Sequence, residues 1–421
     1  MRSLRWINPN ERSSHLFWGL PLRLLLLTFL VFGHIGFWIS LFNRINATGL
    51  HRRHIKAIEK GIVLVCLMLP LVLLAIDYRV DPESSKLHRW LDYILGKSAF
   101  PKVSAWSIAY GLFAIFYGLL GGIAWLVHRP QFHTARDRQA ILQTHIEKRL
   151  DRNNPDWQLG RKAQKSLRIP GNELMHLEAN TKALWLDRIP ESFVGMRIAH
   201  LSDIHLTGQL PEEFYRHAIQ WLESQDVDLV CLTGDIIDKS IALPSLPVIF
   251  GNLNPGIPKV FVLGNHDRAC GLDQTVREVM SGLGWIDVGR EDRRLQTARG
   301  SLAILGNERP WFHRELSPGF SPEEPMTQEF RLGISHSPDQ LPWAKRLGVS
   351  LLLCGHTHGG QIRFPWIGPI IAPSKYGSRF ASGVFYQSPT LMHVSRGMSG
   401  VHPIRLRCLP EVSVLELRKR P

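Results

Sequence analysis

Residues 351–361, LLLCGHTHGGQ, decide the predicted fold, because an apolar run leads there directly into two histidines. The three leucines are typical of a strand that is covered on both faces. The glycines that flank His356 and His358 permit a tight turn and a close approach of the backbone to a ligand. Taken alone, the stretch fits a metal site and a polar loop with two solvated histidines equally well.

Four other segments follow the same plan, in which an apolar strand runs straight into a polar turn. Helix-compatible runs at residues 212–224 and 273–282 separate some of these strands, and this alternation predicts an α/β fold. Ligands in such sheets bind outside the carboxyl ends of the strands. We therefore expect all five turns to meet on one rim. The four further turns are DIH (203–205), GDIID (234–238), GNHD (264–267) and SH (335–336).

The pooled turns carry oxygen and nitrogen donors but no cysteine. Imidazoles with carboxylates and one amide suit Zn²⁺, Mn²⁺ or Fe, whereas a closed structural zinc site usually includes thiolates. The donors are too many for one ion and fit a centre with two ions about 3.5–4 Å apart. Such a centre needs a bridging carboxylate, for which Asp235 is the candidate. The pooled residues are Asp203, His205, Asp235, Asn265, His266, Asp267, His336, His356 and His358.

This ordered set of motifs resembles the calcineurin-like metallophosphoesterase superfamily, and the sequence around GHTHGGQ is similar to its membrane-associated, YkuE-like bacterial branch. The resemblance covers about residues 167–417 and implies a two-sheet αββα sandwich. It implies that Asp203, His205, Asp235 and His358 hold one divalent ion and that Asp235, Asn265, His336 and His356 hold a second. His266 would stay free of metal to donate a proton to the leaving oxygen, with Asp267 orienting it. Ser335 departs from the pattern, since many relatives have glycine there.

The region before these motifs is apolar. Residues 24–42, 62–76 and 103–127 predict three transmembrane helices, since about 20 apolar residues span a bilayer. The middle one is short and contains Pro70, so a re-entrant segment is the alternative. We expect a membrane segment at residues 1–128, a juxtamembrane linker with a helix near 138–150 at residues 129–165, and the metallophosphoesterase domain at residues 166–421.

The net charge of +14 lies mostly in the membrane region. Residues 1–160 hold 20 Lys and Arg against 10 Asp and Glu, while residues 161–421 hold 30 against 26. Basic residues beside membrane helices orient them and meet anionic lipid, so no nucleic-acid partner is expected. The five cysteines form no close pair and suggest neither a disulfide framework nor a thiolate zinc site. Basic residues flank the apolar segments on both sides, so the charge pattern fits either orientation; of the two, we expect a cytoplasmic domain on a bacterial inner membrane.

The predicted reaction is hydrolysis of a phosphodiester or pyrophosphate by metal-bound hydroxide, with two ions of Mn, Fe or Zn. Tethering to the bilayer favours a lipid-linked substrate such as a UDP-diacylglucosamine. The alternatives are a phosphodiesterase acting on soluble nucleotides or phosphoesters, and a non-catalytic membrane binding or sensor protein. No oligomeric state follows from the motifs.

Some residues allow two interpretations each. Asp238 is either a partner of a ligand histidine or a solvated turn carboxylate. Arg268 and Arg396 either contact a substrate phosphate or form ordinary ion pairs. The apolar patch at residues 364–367 is either a membrane-facing lip or core beneath the rim.

Overall fold

A computed structural model describes residues 9–128, 135–148, 158–313, 320 and 329–420. The chain divides into two compact units, of which the second combines Asn43–Ile55 with the residues from Phe132 onward. The helices are α1 (Pro9–Asn46), α2 (Arg52–Val80), α3 (Leu87–Ile94), α4 (Ala105–His128), α5 (Arg161–Ser166), α6 (Glu212–Glu223), α7 (Ser245–Phe250), α8 (Asn265–Ala269), α9 (Asp273–Gly282) and α10 (Leu341–Arg346). The strands are β1 (Gln139–Lys148), β2 (His176–Leu186), β3 (Arg197–Leu201), β4 (Leu229–Thr233), β5 (Lys259–Val262), β6 (Ile286–Asp287), β7 (Arg293–Thr297), β8 (Gly300–Asn307), β9 (Phe330–Ser335), β10 (Leu351–Cys354), β11 (Arg363–Phe364), β12 (Gly368–Pro369), β13 (Gly383–Gln387), β14 (Thr390–Val394) and β15 (Glu411–Lys419).

The first unit contains three helices that are long and apolar enough to cross a membrane. The spans are Gly19–Asn46, Arg52–Val80 and Ala105–Ala124, with mean hydropathies of 2.1, 2.4 and 1.7. α2 continues as one helix through Pro70, so the middle span is not broken there. α1 and α4 approach closely at Gly33, where a Cβ would overlap the Ala114 carbonyl. Small residues at such crossings let apolar helices pack backbone to backbone.

The second unit contains two mixed sheets that pack face to face. The seven-stranded sheet has the order β1-β2-β15-β3-β4-β5-β6, and the six-stranded sheet has the order β13-β14-β10-β9-β8-β7. In each sheet a run of parallel strands, β3 to β6 and β8-β9-β10-β14, points its carboxyl ends the same way. The predicted two-sheet αββα sandwich is confirmed.

Alternating side chains along the strands build the layers. Leu351 and Leu353 of β10 lie in the core between the sheets, where they belong to the same cluster as Ile198 of β3. Leu352 and Cys354, on the other face, pack in the cluster that includes α10. Helices α6, α7 and α9 cover the outer face of the seven-stranded sheet. This arrangement follows from the period of two along a strand.

The helix predicted near residues 138–150 is wrong over most of its length, because Gln139–Lys148 forms strand β1. β1 pairs antiparallel with β2 and extends the seven-stranded sheet. Its β-branched Ile141, Thr144 and Ile146 fit a pleated surface, and backbone pairing with β2 overrides the weak helical propensity. Residues 129–134 and 149–157 of the predicted linker lie outside the described residues.

A polar network crosses the core between the two sheets. His200 Nδ1 of β3 lies 2.8 Å from His393 Nδ1 of β14, so one ring must donate and the other accept. Lys182 lies 3.1 Å from the other nitrogen of His393 and pairs with Glu411 at 2.5 Å. Burial lowers the pKa of His200 to about 3, although Glu411 opposes this shift. Both rings therefore fold in the neutral form.

We expect this network to make the fold sensitive to acid. The folded pKa of His200 is depressed below its usual 6.5, so the unfolded chain binds more protons and stability falls as the pH drops from about 6.5 toward 3. At pH 5 this one group costs about 2 kcal/mol. The thermal midpoint of the metal-free protein in detergent should fall less between pH 7.5 and 5 in His200→Gln than in the exposed control His313→Gln. Equal decreases of the thermal midpoint in the two variants would contradict a role of His200 in the acid sensitivity.

Candidate metal centre

The turns that follow β3, β4, β5, β9 and β10 meet at one edge of the sandwich. Backbone bonds join them: Asp203 N–H donates to Gly234 O at 3.1 Å, and Gly355 N–H donates to His336 O at 3.0 Å. All nine residues predicted for the site lie on these turns, including Asn265, His266 and Asp267 at the start of α8. The five turns therefore converge, as the sequence predicts.

Five of these polar residues have a strained backbone conformation. Positive φ angles of 47° to 72° occur at Asp203, His205, Asp235, His356 and His358. Non-glycine residues seldom adopt this region, and such strain persists mainly where the surrounding structure requires it at a functional site. Glycines provide the space that the turns need: a Cβ at Gly264 would overlap the Asp235 carboxylate, and one at Gly355 would overlap the Asp203 carboxylate.

The first group of donors is formed by Asp203, His205, Asp235 and His358, whose ligand atoms all lie within 4.8 Å of one another. His205 Nε2 lies 3.2 Å from His358 Nε2 and 3.4 Å from Asp235 Oδ2. His358 Nε2 lies 3.4 Å from Asp203 Oδ1. Ligands about 2.1 Å from an ion, at tetrahedral or octahedral angles, are about 3.0–3.4 Å apart, so this spacing fits one cation.

The second group shares Asp235 with the first and adds His336 and His356. His336 Nε2 lies 3.2 Å from Asp235 Oδ2, 3.2 Å from His356 Nδ1 and 3.2 Å from Asn265 Oδ1. These four donors therefore surround a second point. The two groups contain the residues of the two ligand sets that the resemblance implies, and their binding of ions stays a prediction.

Asp235 has the position of a bridge between the groups. Its Oδ2 is buried and has no hydrogen-bond partner among the described residues, although imidazole nitrogens from both groups lie within 3.4 Å. A buried carboxylate oxygen without a partner is costly. Coordination of two cations by this atom would satisfy it, so the residues fit a two-ion centre.

Hydrogen bonds at Nδ1 orient three of the imidazoles. His205 Nδ1 lies 2.7 Å from Asp238 Oδ2, and His336 Nδ1 lies 2.7 Å from Thr233 O. His358 Nδ1 lies 3.1 Å from Ser399 O. A proton on each Nδ1 leaves Nε2 with a free lone pair directed into the cluster.

Ionised carboxylates dominate the electrostatics of the cluster. Burial alone would raise the pKa values of Asp203 and Asp235, but the facing imidazoles, His358 and His336 respectively, hold both pKa values well below the usual range. Burial and the charge of Asp235 raise the pKa of Asp267 to about 7. Buried negative charge attracts cations strongly because the surroundings screen it poorly.

The predicted pairing of His266 with Asp267 is wrong. Asp267 Oδ1 accepts backbone N–H bonds from Ile236 and Ile237, both at 2.9 Å, and its Oδ2 accepts one from Gly264 at 2.8 Å. Asp267 therefore fastens the turn of Asp235 to the start of α8. A carboxylate next to His266 in sequence faces the backbone, which the motif alone does not reveal.

Asp238 is the residue that contacts His266. One of its oxygens bonds His266 Nδ1 and the other bonds His205 Nδ1. Of the two interpretations of Asp238, the structure supports that of a partner for a ligand histidine. The last residue of the GDIID motif thus couples the proposed acid to one ligand.

The two candidate phosphate-binding arginines have other partners. Arg268 donates to the Trp311 carbonyl, and Arg396 forms buried ion pairs with Glu411 at 3.1 Å and Glu178 at 2.8 Å. Sequence reasoning missed Trp311, whose ring packs 4.8 Å from His356 between ring centroids. No motif marks this tryptophan, so only the fold shows its position.

Sequence reasoning also missed Arg405, which is fully buried and donates to the carbonyls of His358 at 3.0 Å and Arg396 at 2.8 Å. These bonds fix the backbone that carries His358. A lone arginine near the end of the chain offers no sequence signal for this contact.

Comparisons with known proteins agree with this geometry. Residues 196–360 match the family model described as calcineurin-like phosphoesterase. The chain is 30% identical to the uncharacterized metallophosphoesterase YkuE of Bacillus subtilis, over 55% of this chain and 82% of that protein. It is 28% identical to the phosphodiesterase YaeI of Escherichia coli, over 52% and 82%. It is 24% identical to the UDP-2,3-diacylglucosamine pyrophosphatase LpxG of Chlamydia muridarum, over 58% and 92%. Ordered motifs, converging donors and these similarities together show that the chain belongs to the calcineurin-like metallophosphoesterase family of phosphoric ester hydrolases.

Proposed function

We propose that this protein is a membrane-anchored phosphoesterase that hydrolyses a phosphodiester or pyrophosphate bond in a lipid-linked substrate. The observation that carries the lipid proposal is the hairpin of β11 and β12, which follows the His358 turn directly. Its Trp366 is 100% exposed and Ile367 is 68% exposed. Exposed apolar patches mark interaction sites, and tryptophan favours the interface between membrane and water.

The hairpin is joined to the turn that carries the ligands. Gly360 has a φ of 81°, and a Cβ there would lie 3.1 Å from the Ile371 carbonyl and would overlap Pro369. Ile371 is itself 52% exposed. The apolar surface therefore begins beside His358, where an acyl chain bound to it would bring an attached phosphate to the cluster. This supports the membrane-facing interpretation of residues 364–367.

In this proposal Asp203, His205, Asp235 and His358 hold one divalent ion, and Asp235, Asn265, His336 and His356 hold the other. The donors suit Mn, Fe or Zn. Bound ions would supply Lewis acidity, which lowers the pKa of water and offsets the charge that develops on the phosphoryl oxygens. Asp238 accepts the Nδ1 proton of His266, and in the imidazolium form the ring carries a second proton on Nε2, which it can donate to the departing oxygen.

We also propose that the second unit lies on the cytoplasmic side of a bacterial inner membrane. Three crossings put residues 43–55 and the residues after 128 on one side, in agreement with their membership of one compact unit. Residues 44–60 carry five Lys and Arg against one Glu, and basic loops favour the cytoplasm. Protease treatment of spheroplasts tests this, since digestion of the second unit from outside would contradict it.

The substrate proposal predicts a preference that depends on the hairpin. The full-length protein in mixed micelles should cleave a UDP-diacylglucosamine with a kcat/KM at least about 10-fold above that for a soluble phosphodiester. Trp366→Ser with Ile367→Ser should lower kcat/KM for the lipid about 10-fold, because about 1.4 kcal/mol of apolar contact is removed, and should leave the soluble substrate within about 2-fold.

The matched control is Ile241→Ser, which changes an isoleucine that is 79% exposed on another part of the unit. It should leave both activities unchanged. Equal turnover of the two substrates by the wild type, or equal loss of both in the hairpin variant, would contradict a lipid substrate.

A further inference from the structure

We propose that Arg52, the first residue of α2 and part of the segment Asn43–Ile55, is a phosphate-binding residue of the metal centre. This inference rests on the proposed phosphoesterase function and adds a substrate contact that lies outside the five motifs of the candidate site. It would make the segment Asn43–Ile55 part of the substrate site.

Within the second unit, this segment is held by hydrogen bonds from the Asn43 side chain to the backbone of another part of the chain. Asn43 is buried, its Nδ2 donates to Ile370 O at 3.0 Å, and its Oδ1 accepts the N–H of Ala372 at 3.0 Å. These paired bonds resemble those between strands and give one defined register. Ile370 and Ala372 follow the exposed hairpin, so the segment runs beside that hairpin.

Further along the chain, the segment packs against residues that border the metal centre. A Cβ on Gly49 would lie 2.5 Å from the carbonyl oxygen of Pro310, so glycine permits a close approach there. The next residue, Trp311, packs its ring against His336 and His356, with ring centroids 5.3 and 4.8 Å apart. Only Leu50 and His51 separate Gly49 from Arg52.

Arg52 reaches the residue proposed as the acid. Its Nη1 lies 2.7 Å from His266 Nδ1 and 3.5 Å from His266 Nε2. One ring nitrogen cannot donate to Asp238 and accept from Arg52 at the same time. The buried, charged carboxylate is the stronger partner, so the proton belongs on Nδ1, and the ring leaves the guanidinium only Nε2, at the outer limit of a hydrogen bond.

The charge of Arg52 is also uncompensated. In the part of the chain that the structure describes, the guanidinium forms no ion pair with a carboxylate, while Asp238 already binds His205 and His266. A half-buried guanidinium whose N–H donors are not all used is stabilised by binding an anion, and here it lies beside the proposed two-ion centre. A phosphoryl group has two or more oxygens for these donors, and a planar guanidinium matches it bidentately.

The test uses full-length, manganese-loaded protein in detergent and measures binding of inorganic phosphate by calorimetric titration. Arg52→Gln should weaken phosphate binding about 10- to 100-fold, since hydrogen bonds to charged groups are the strong ones. Arg52→Lys should recover part of the loss. The matched control Arg53→Gln removes the same charge from the next residue, which is exposed, and should change binding less than about 2-fold. KM for a soluble phosphodiester should rise in parallel.

Binding and turnover separate the two proposals. If the wild-type protein binds phosphate but hydrolyses no phosphoester, the proposed function is wrong. The ratio of phosphate affinities between wild type and Arg52→Gln still decides the role of Arg52 in that case. If Arg52→Gln binds phosphate with an affinity within about 2-fold of the wild type, the inference is wrong. Loss of bound manganese in that variant would assign Arg52 to holding the centre together and would overturn it as well.

Discussion

Asp235→Asn should lower kcat for phosphodiester hydrolysis by about 10³-fold or more, equivalent to about 4 kcal/mol of transition-state stabilisation. Asp235 is the one carboxylate shared by both donor groups, and its Oδ2 has no other partner among the described residues. An amide keeps the shape of the side chain but removes the charge that two cations share. The variant should also bind fewer ions per chain at equal free manganese.

Asp187→Asn is the matched control, because it makes the same chemical change in a carboxylate that pairs with Arg138 outside the cluster. It should retain the wild-type kcat and metal content. Full activity of Asp235→Asn after chelation and reloading would exclude Asp235 as the bridge.

His266→Gln should lower kcat by about 10²- to 10⁴-fold, the usual range for loss of a general acid, on substrates whose leaving oxygen needs a proton. A p-nitrophenolate leaving group is a weak base and needs little protonation, so the loss should be much smaller with an aryl ester. Asp238→Asn should lower kcat by about 10- to 100-fold on alkyl and aryl esters alike, because Asp238 orients His205 as well as His266.

The leaving-group comparison separates proton donation from structural damage. His313→Gln, at an exposed histidine outside the cluster, should leave both substrates unaffected. An equal loss on alkyl and aryl esters in His266→Gln would show that His266 does not protonate the leaving group.

Local patterns in the sequence predicted the sandwich and the convergence of donors. The run of apolar residues before His356 is buried on both faces as strand β10, as such a run in a parallel sheet must be. The ends of neighbouring parallel strands share one edge, so strand prediction alone brings Asp203 and Asp235 together, whereas His336 follows β9 of the other sheet and reaches them because the two sheets pack face to face. These features depend on short stretches of chain.

The errors and omissions involve contacts between distant parts of the chain. β1 forms a strand because β2 offers a pairing edge, which no window around residues 139–148 contains. Asp267 bonds backbone groups some 30 residues earlier, so its adjacency to His266 was a misleading signal. Arg52 meets His266 across 214 positions in sequence, and an arginine beside an apolar helix is normally explained by the membrane.

The bridging of two cations by Asp235 is tested most directly by electron paramagnetic resonance of the full-length protein titrated with Mn²⁺. Two ions per chain should bind, and their spectrum should show the exchange coupling of a bridged pair. In Asp235→Asn the coupling should disappear. Saturation at one ion per chain, or two ions with uncoupled spectra in the wild type, would contradict the shared centre.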